Sequence, residues 1–421
     1  MSLPNNIPTI IVGDGNWGIK QGNLLGYSQS DYKLLPREFA VTRGGGTNGT
    51  FVGSNGLIQT AASGNVPRID FTGGLPALLV EPAATNLFSG SVDLGNTTYW
   101  SRPAGANVTG NVSGIIAPDG TQTATLFQAS GTTATNSRLR QTWSRTTTGA
   151  HAMSVFVRGF PGVAASGMVF CGVGNSELNF AITSGGVVTL TSMTGGAEAV
   201  TSGIVNYGNG WYRLTAVGTA ATSGSTQSEL YCSPSGGPQY YVWGAQMEVG
   251  SVATSYIPTT TGSVTRNNDV ITLTSATDYI GQTEGTIYLE LEFKNVAAAQ
   301  LIFLDVGGVS QYIRITKNAS NAINVLVLNT SGSQSLFTSS SNPVGTYKLA
   351  FAYKSGDNAM SINGAAPLTS ANTSNYPTSS LSRIVLSDSM VGFNPLNGRI
   401  RAVVIYPTRL PNDQLQALTT L

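Results

Sequence analysis

Apolar residues in this chain recur at every second position, in short runs that end at Gly, Asn, Ser or Pro, and helical spacing is almost absent. A strand points successive side chains to opposite faces, so a period of two marks a segment with one face in a core. The clearest case is TIYLELEF at Thr286–Phe293, where Ile287, Leu289, Leu291 and Phe293 point inward and Tyr288, Glu290 and Glu292 outward. Ala152–Arg158 repeats the device with Met153, Val155 and Val157 on one face, and Gly186–Thr191, Trp211–Val217, Tyr240–Trp243 and Tyr347–Tyr353 add further runs. Strand-length runs separated by turn residues predict an all-β chain of antiparallel sandwiches.

Composition narrows the function classes. At 421 residues there is room for two or three domains. Only 10% of residues are charged, 51 are Gly, and 41% are hydrophobic, so the chain has a core beneath a neutral Ser/Thr/Asn surface. A net charge of +1 without a Lys/Arg run excludes nucleic acid, whose binding depends on neutralising many phosphates. No stretch approaches the ~20 apolar residues of a membrane span. The start MSLPNNIPTIIVGDG has neither the basic residues nor the apolar length of a signal peptide.

Little catalytic chemistry is on offer. The single histidine, His151, opens the Met153 strand with no nucleophile elbow near it, which argues against a Ser-His-Asp triad, and a zinc site would need more His or Cys ligands. Gly13–Gly18 and Arg43–Gly46 are glycine-rich but lack the Lys-Ser/Thr of a phosphate loop and read as turns. Trp100, Trp143, Trp211 and Trp243 are of the type that stacks under a sugar ring, yet Trp211 and Trp243 lie on core strands, and no residue earns a glycan-binding assignment.

An ordered set of motifs adds a family resemblance. GGLPALLVEPAATNL at Gly73–Leu87 is followed by NGWYR at Asn209–Arg213, WGAQME at Trp243–Glu248 and GSVATSYIPT at Gly250–Thr259. GLIQTA at Gly56–Ala61 and PRIDF at Pro67–Phe71 look like the lead-in. The set, spanning about residues 37 to 270, resembles a module of tailed-bacteriophage structural proteins, the tail and head fibres above all. The resemblance implies a jelly roll like those of carbohydrate-binding modules. Residues 270 to 421 end in LNGRIRAVVIY at Leu396–Tyr406 and LPNDQLQAL at Leu410–Leu418, a final strand and a short helix begun at Asn412 or Asp413. That ending is similar to concanavalin A-like (laminin-G-like) lectin domains.

The organisation expected is a virion-attachment arm at 1–36, a lead-in at 37–83, a jelly roll at 84–262 and a concanavalin A-like sandwich at 263–421. Ile257–Ser263 would be the linker. The arm holds one apolar run, Pro8–Val12, with Trp17, Tyr27 and Tyr32, too little to bury a core of its own. Its apolar groups therefore pack on another virion protein or on its own chain.

The resemblance implies a virion protein, made in the bacterial host cytoplasm, that presents lectin-like surfaces to host glycans as a fibre, spike or decoration. Its repeated weak sites favour a homo-oligomer, a trimer first. The rivals are a purely structural capsid or tail component and a polysaccharide depolymerase. For the last, Glu290 and Glu292 would have to act as a carboxylate pair, but Tyr288 and Lys294 occupy the flanking same-face positions and an exposed outer face is the plainer reading. The chain is read as not an enzyme and as needing no cofactor. Jelly rolls also hold a structural calcium through carboxylate and carbonyl oxygens. Asp93 and Glu248 are the acids available for it, although Ser91-Val-Asp93 departs from the Ser-Glu-Asp frequent there. Cys171 and Cys232 alternate with Val169, Val173 and Leu230 and are expected as buried free thiols.

Overall fold

The computed structural model describes residues 7–13, 17–20, 23–30, 33–44, 48–103, 106–130, 137–194, 203–233, 239–294, 298–340, 345–387 and 394–420. The all-β expectation holds: the described residues form antiparallel sheets, with one short parallel pairing of Ala299–Gln300 and Asn394–Pro395, and one α-helix, Asn412–Thr419. They fall into two units, one made of residues 49–60 and 84–266, the other of 1–48, 61–83 and 267–421.

The unit containing 84–266 is a sandwich of a six-stranded and a five-stranded sheet. In the first, Gly149–Gly159 lies between Trp211–Ala220 and Gln239–Val249; in the second, Gly224–Cys232 lies between Ser137–Arg145 and Ala165–Phe170. Met153, Val155 and Val157 point between the sheets and are fully buried, with Val169, Leu178, Leu214, Leu230 and Val242. Trp100 and Trp143 belong to this core, each donating its indole N–H, to Gly90 O at 3.0 Å and to Ser228 Oγ at 2.8 Å. Cys171 and Cys232 are free and buried there, their thiols pushed up to about 12 by burial.

Alternation does not predict the other face of the six-stranded sheet. Phe156, Trp211, Tyr241, Trp243 and Tyr256 form a second apolar cluster there. The hairpin of Thr50–Val52 and Ile58–Thr60 contributes Ile58, and the segment before Thr125–Gln128 contributes Ala117 and Ala124. Ile58 N–H donates to Pro118 O at 2.8 Å. Both faces of this sheet are therefore dry, which is why Ser154 and Phe156 are buried along with their alternate neighbours.

The other unit corrects the reading of the N-terminus. The described residues of 1–36 are mostly sheet strands of this unit, so of the two alternatives for their apolar groups the structure shows packing on their own chain. Ile10–Gly13 pairs with Ala402–Ile405 of the strand Gly398–Tyr406, and Lys33–Thr42 pairs with Asn23–Ser30 on one side and Val270–Leu273 on the other. Ile10, Val12, Leu24 and Phe39 have no exposure and share one core with Ile287, Leu289, Leu291, Phe293, Leu349, Phe351, Val403 and Ile405. An extended apolar segment cannot stay solvated, and the edge of Gly398–Tyr406 offers it backbone partners. Tyr32 and residues 14–16, 45 and 46 of the glycine-rich stretches lie outside the described residues.

Tyr288 is a second correction. Expected outward, it is 1% exposed, because the helix Asn412–Thr419 lays Leu415 and Leu418 over Tyr288, Ala350 and Val404 on the outer face of that sheet. The segment expected as a linker is likewise engaged: Ile257 and Thr259 are 1% exposed, and Val264–Arg266 pairs with Ala84–Asn86.

Candidate functional site

The motif residues turn out to hold one another. Asn86 donates from Nδ2 to Ile257 O at 2.8 Å and Ala245 O at 3.2 Å, while its Oδ1 accepts the N–H groups of Phe88 and Met247 at 3.1 Å each. Gln246 accepts Ile257 N–H at 2.6 Å. Arg213 donates to Thr254 O and Ser154 Oγ at 2.7 and 2.8 Å with its guanidinium over the Phe156 ring. Tyr256 OH meets Ser91 Oγ at 2.8 Å, and Thr259 Oγ1 donates to Phe88 O at 2.7 Å. Thus Asn86 of VEPAATN, with WYR, WGAQME and ATSYIPT, ties the first residues of the sandwich to its last strand and the segment after it. Motif residues of the other unit do the same: Arg68 bonds Glu81 at 2.7 Å and Asp269 at 2.6 Å, and Arg43 bonds Asp269 at 2.8 Å, all with side chains at most 2% exposed.

Glu248, one of the two acids considered for calcium, belongs to this clasp. It has no exposure, and its oxygens accept Gln246 Nε2 at 2.8 Å, Thr254 N–H at 2.7 Å and Thr254 Oγ1 at 2.8 Å. Burial raises its pKa, against the lowering effect of Gln246, Arg213 and Thr254. Asp93 sits in a turn, its Oδ1 taking Gly95 N–H at 2.9 Å. Among the described residues no three His, Cys, Asp or Glu side chains gather where they could hold a metal. A calcium at Glu248 would compete with three donors already on its carboxylate, and no cluster of three His, Cys, Asp or Glu side chains among the described residues supplies further ligands, so the residues described do not fit the ion.

Glu290 and Glu292 are engaged with arginines. Glu292 accepts Arg399 Nε at 2.9 Å, and Arg399 also lies 3.5 Å from Asp70; Glu290 lies 3.6 Å from Arg401 Nη1. His151 is buried with Nδ1 3.1 Å from Gly149 O, and burial lowers its pKa.

The arrangement able to receive a ligand lies elsewhere, at one end of the covered face of the six-stranded sheet. A cleft of about 550 Å³ is lined by Gly56, Leu57, Ile116, Ala117, Pro118, Arg158, Tyr207, Gly208, Asn209 and Trp211. Arg158 is the penultimate residue of Gly149–Gly159, opposite Trp211 on one neighbour and Tyr241 on the other. Asn209 and Gly210 join Gly203–Gly208 to Trp211–Ala220 with φ of 52° and 79°, positive at both positions as a two-residue type I′ turn requires. That turn sets Tyr207 and Asn209 at the mouth. Tyr207 is braced edge-on against Phe156, ring centroids 5.0 Å apart. Trp211 is 2% exposed and spends its N–H on Ile116 O at 2.9 Å, so it backs the cleft from below and has neither a free donor nor an open ring face.

Among the described residues, the side chains of Arg158, Tyr207 and Asn209 make no hydrogen bond or ion pair within the protein. Three unspent polar side chains therefore line a cleft whose surface is about equally polar and apolar, a composition suited to a polar ligand. Among the described residues Arg158 is its one charged lining residue. Sequence reasoning found Trp211 but missed the rest. The Asn-Gly dipeptide marks the turn, but nothing in sequence brings Arg158 to it.

No family model matches the chain, and no curated protein does. Among solved structures, the receptor-binding domain of botulinum neurotoxin mosaic serotype C/D aligns at 11% identity and TM-score 0.29, over 35% of this chain and 39% of that one. Domain 4 of a GH43 extracellular arabinanase from Geobacillus stearothermophilus, in complex with arabinotriose, aligns at 16% identity and TM-score 0.29, over 40% and 82%. The LG4-5 domains of mouse laminin alpha1 align at 11% identity and TM-score 0.25, over 70% and 88%. Likeness at these TM-scores carries no argument for this chain's function.

Proposed function

We propose that this chain is a surface protein of a tailed-phage virion, a fibre, spike or decoration, and that it holds host glycans in the Arg158–Tyr207–Asn209 cleft. The observation that carries the binding role is the convergence of those three unspent polar groups over the Trp211 floor. Sugar hydroxyls need such donors and acceptors, and the apolar face of a pyranose needs a ring or an aliphatic wall. The virion role rests on the ordered motifs between Gly56 and Thr259. The activity proposed is binding without turnover, by a homotrimer whose repeated weak sites add avidity, in contact with other virion proteins.

The rival, a structural component that binds no glycan, draws on a specific observation: the motif residues are consumed by an internal clasp, so the motif itself speaks for folding and not for a ligand. Antibody labelling of intact virions in the electron microscope tests the location. Label on the particle supports the proposal; label confined to unassembled protein in the lysate overturns it. Light scattering tests the assembly, with a mass near three times 43.6 kDa expected.

A further inference from the structure

Resting on the saccharide-binding reading of the cleft, we propose that its ligand is an acidic saccharide, with the sugar carboxylate held by Arg158. A guanidinium presents a planar fork of N–H donors that matches a carboxylate two bonds at a time. In this protein most other arginines of the described residues spend that fork internally: Arg43 and Arg68 on Asp269, Arg213 on Thr254 and Ser154, Arg383 on Asp305, Arg399 on Glu292. Arg158 spends none of it among the described residues, although it is half-buried beside the apolar ring of Trp211.

The surroundings keep it available. Among the described residues no acidic side chain lines the cleft. The nearest in sequence to a lining residue, Asp119, already accepts Thr121 N–H at 3.0 Å and Thr121 Oγ1 at 2.6 Å through Oδ1. A lone, partly desolvated cation binds a counter-charge more strongly than one in open water. One positive charge matches one carboxylate, and Tyr207 and Asn209 are left for the hydroxyls of the same sugar. The apolar wall of Leu57 and Ile116, the latter 43% exposed, suits a ring and not a second anion.

The test uses the full-length chain in titration calorimetry with oligosaccharides containing uronic or sialic acid and with the same oligosaccharides after reduction of the carboxyl to the alcohol. Acidic forms are expected to bind about ten-fold or more tightly than their reduced counterparts, the range of a hydrogen-bonded charge. Arg158→Gln should abolish the preference, so that this variant binds the acidic and the reduced forms with equal affinity. Arg158→Lys, which keeps the charge but not the fork, should fall between. Unchanged melting temperatures establish that the variants fold. Equal binding of acidic and reduced forms would overturn this inference while leaving the saccharide-binding reading intact. Failure of every neutral and acidic saccharide to bind would overturn that reading, and this inference with it.

Discussion

Residues 267–421, expressed without the N-terminal strands, should not fold cooperatively. The sequence pattern invites the opposite view, since Ile287, Leu289, Leu291, Phe293, Leu349, Phe351 and Val404 read as a complete two-sheet core, although Val404 lies in the cluster under the helix. In the structure Ile10, Val12, Leu24 and Phe39 are 0% exposed and Val41 2%, and all five are part of that core. Burial of such side chains contributes about 1.5–3 kcal/mol each, together about 8–15 kcal/mol as an upper estimate. A whole domain has only about 5–15 kcal/mol of net stability. Removing the strands also strips Asp269, whose side chain is 2% exposed, of Arg43 and Arg68; an unpaired buried charge costs a further ~3–5 kcal/mol. The assay is urea unfolding followed by circular dichroism and tryptophan-independent near-ultraviolet signals, comparing 267–421 alone with 267–421 joined through a flexible linker to 1–83. The joined form should give a sigmoidal transition and the isolated one a sloping, non-cooperative trace. A soluble, cooperatively unfolding 267–421 fragment would refute the reasoning and return the N-terminal strands to the role of an accessory arm.

Glu290→Gln should shift stability by under ~0.5 kcal/mol, because its arginine partner is 27% exposed and 3.6 Å away, whereas Glu292→Gln should cost ~1.5–3 kcal/mol, because Arg399 is 5% exposed; equal effects in chemical denaturation would contradict this. Cys171 and Cys232, with thiols pushed up to about 12, should resist iodoacetamide at pH 8 in the native protein and react fully in urea; mass spectrometry reads the adducts, and fast native labelling would place a thiol outside the core. Burial lowers Lys317 to about 8 from 10.5. Between those values the unfolded chain binds the extra proton, so this group makes stability rise with pH from about 8 to 10.5, and Lys317→Met should remove that increment; parallel stability profiles of the two proteins would refute it.

Much of the fold was legible in the sequence because period-two alternation reports which face is buried, and Met153, Val155, Val157, Ile287 and Leu289 lie where it puts them. It fails where both faces are covered. Phe156 and Tyr288 are buried by a hairpin, a loop and a helix that arrive from distant positions, and alternation carries no record of them. The N-terminal strands were misread for a related reason: an apolar run shows that it needs a partner without naming the partner, here Gly398–Tyr406. The cleft was illegible in a stronger sense. Arg158 and Asn209 are 51 positions apart by their numbers and meet only through strand register. The motifs that look most functional in the sequence, around Asn86, Arg213, Gln246 and Glu248, prove to be the clasp.

The most direct test of the account is a glycan array probed with the full-length chain and with the Tyr207→Phe/Asn209→Gly double variant, which removes the hydroxyl and the amide from the cleft while keeping the ring on Phe156 and the positive φ of the turn. The account predicts that the wild-type chain retains a defined set of saccharides and that the double variant loses them while melting at the same temperature. Wild-type protein that retains no saccharide, or a double variant that binds as the wild type does, would contradict it.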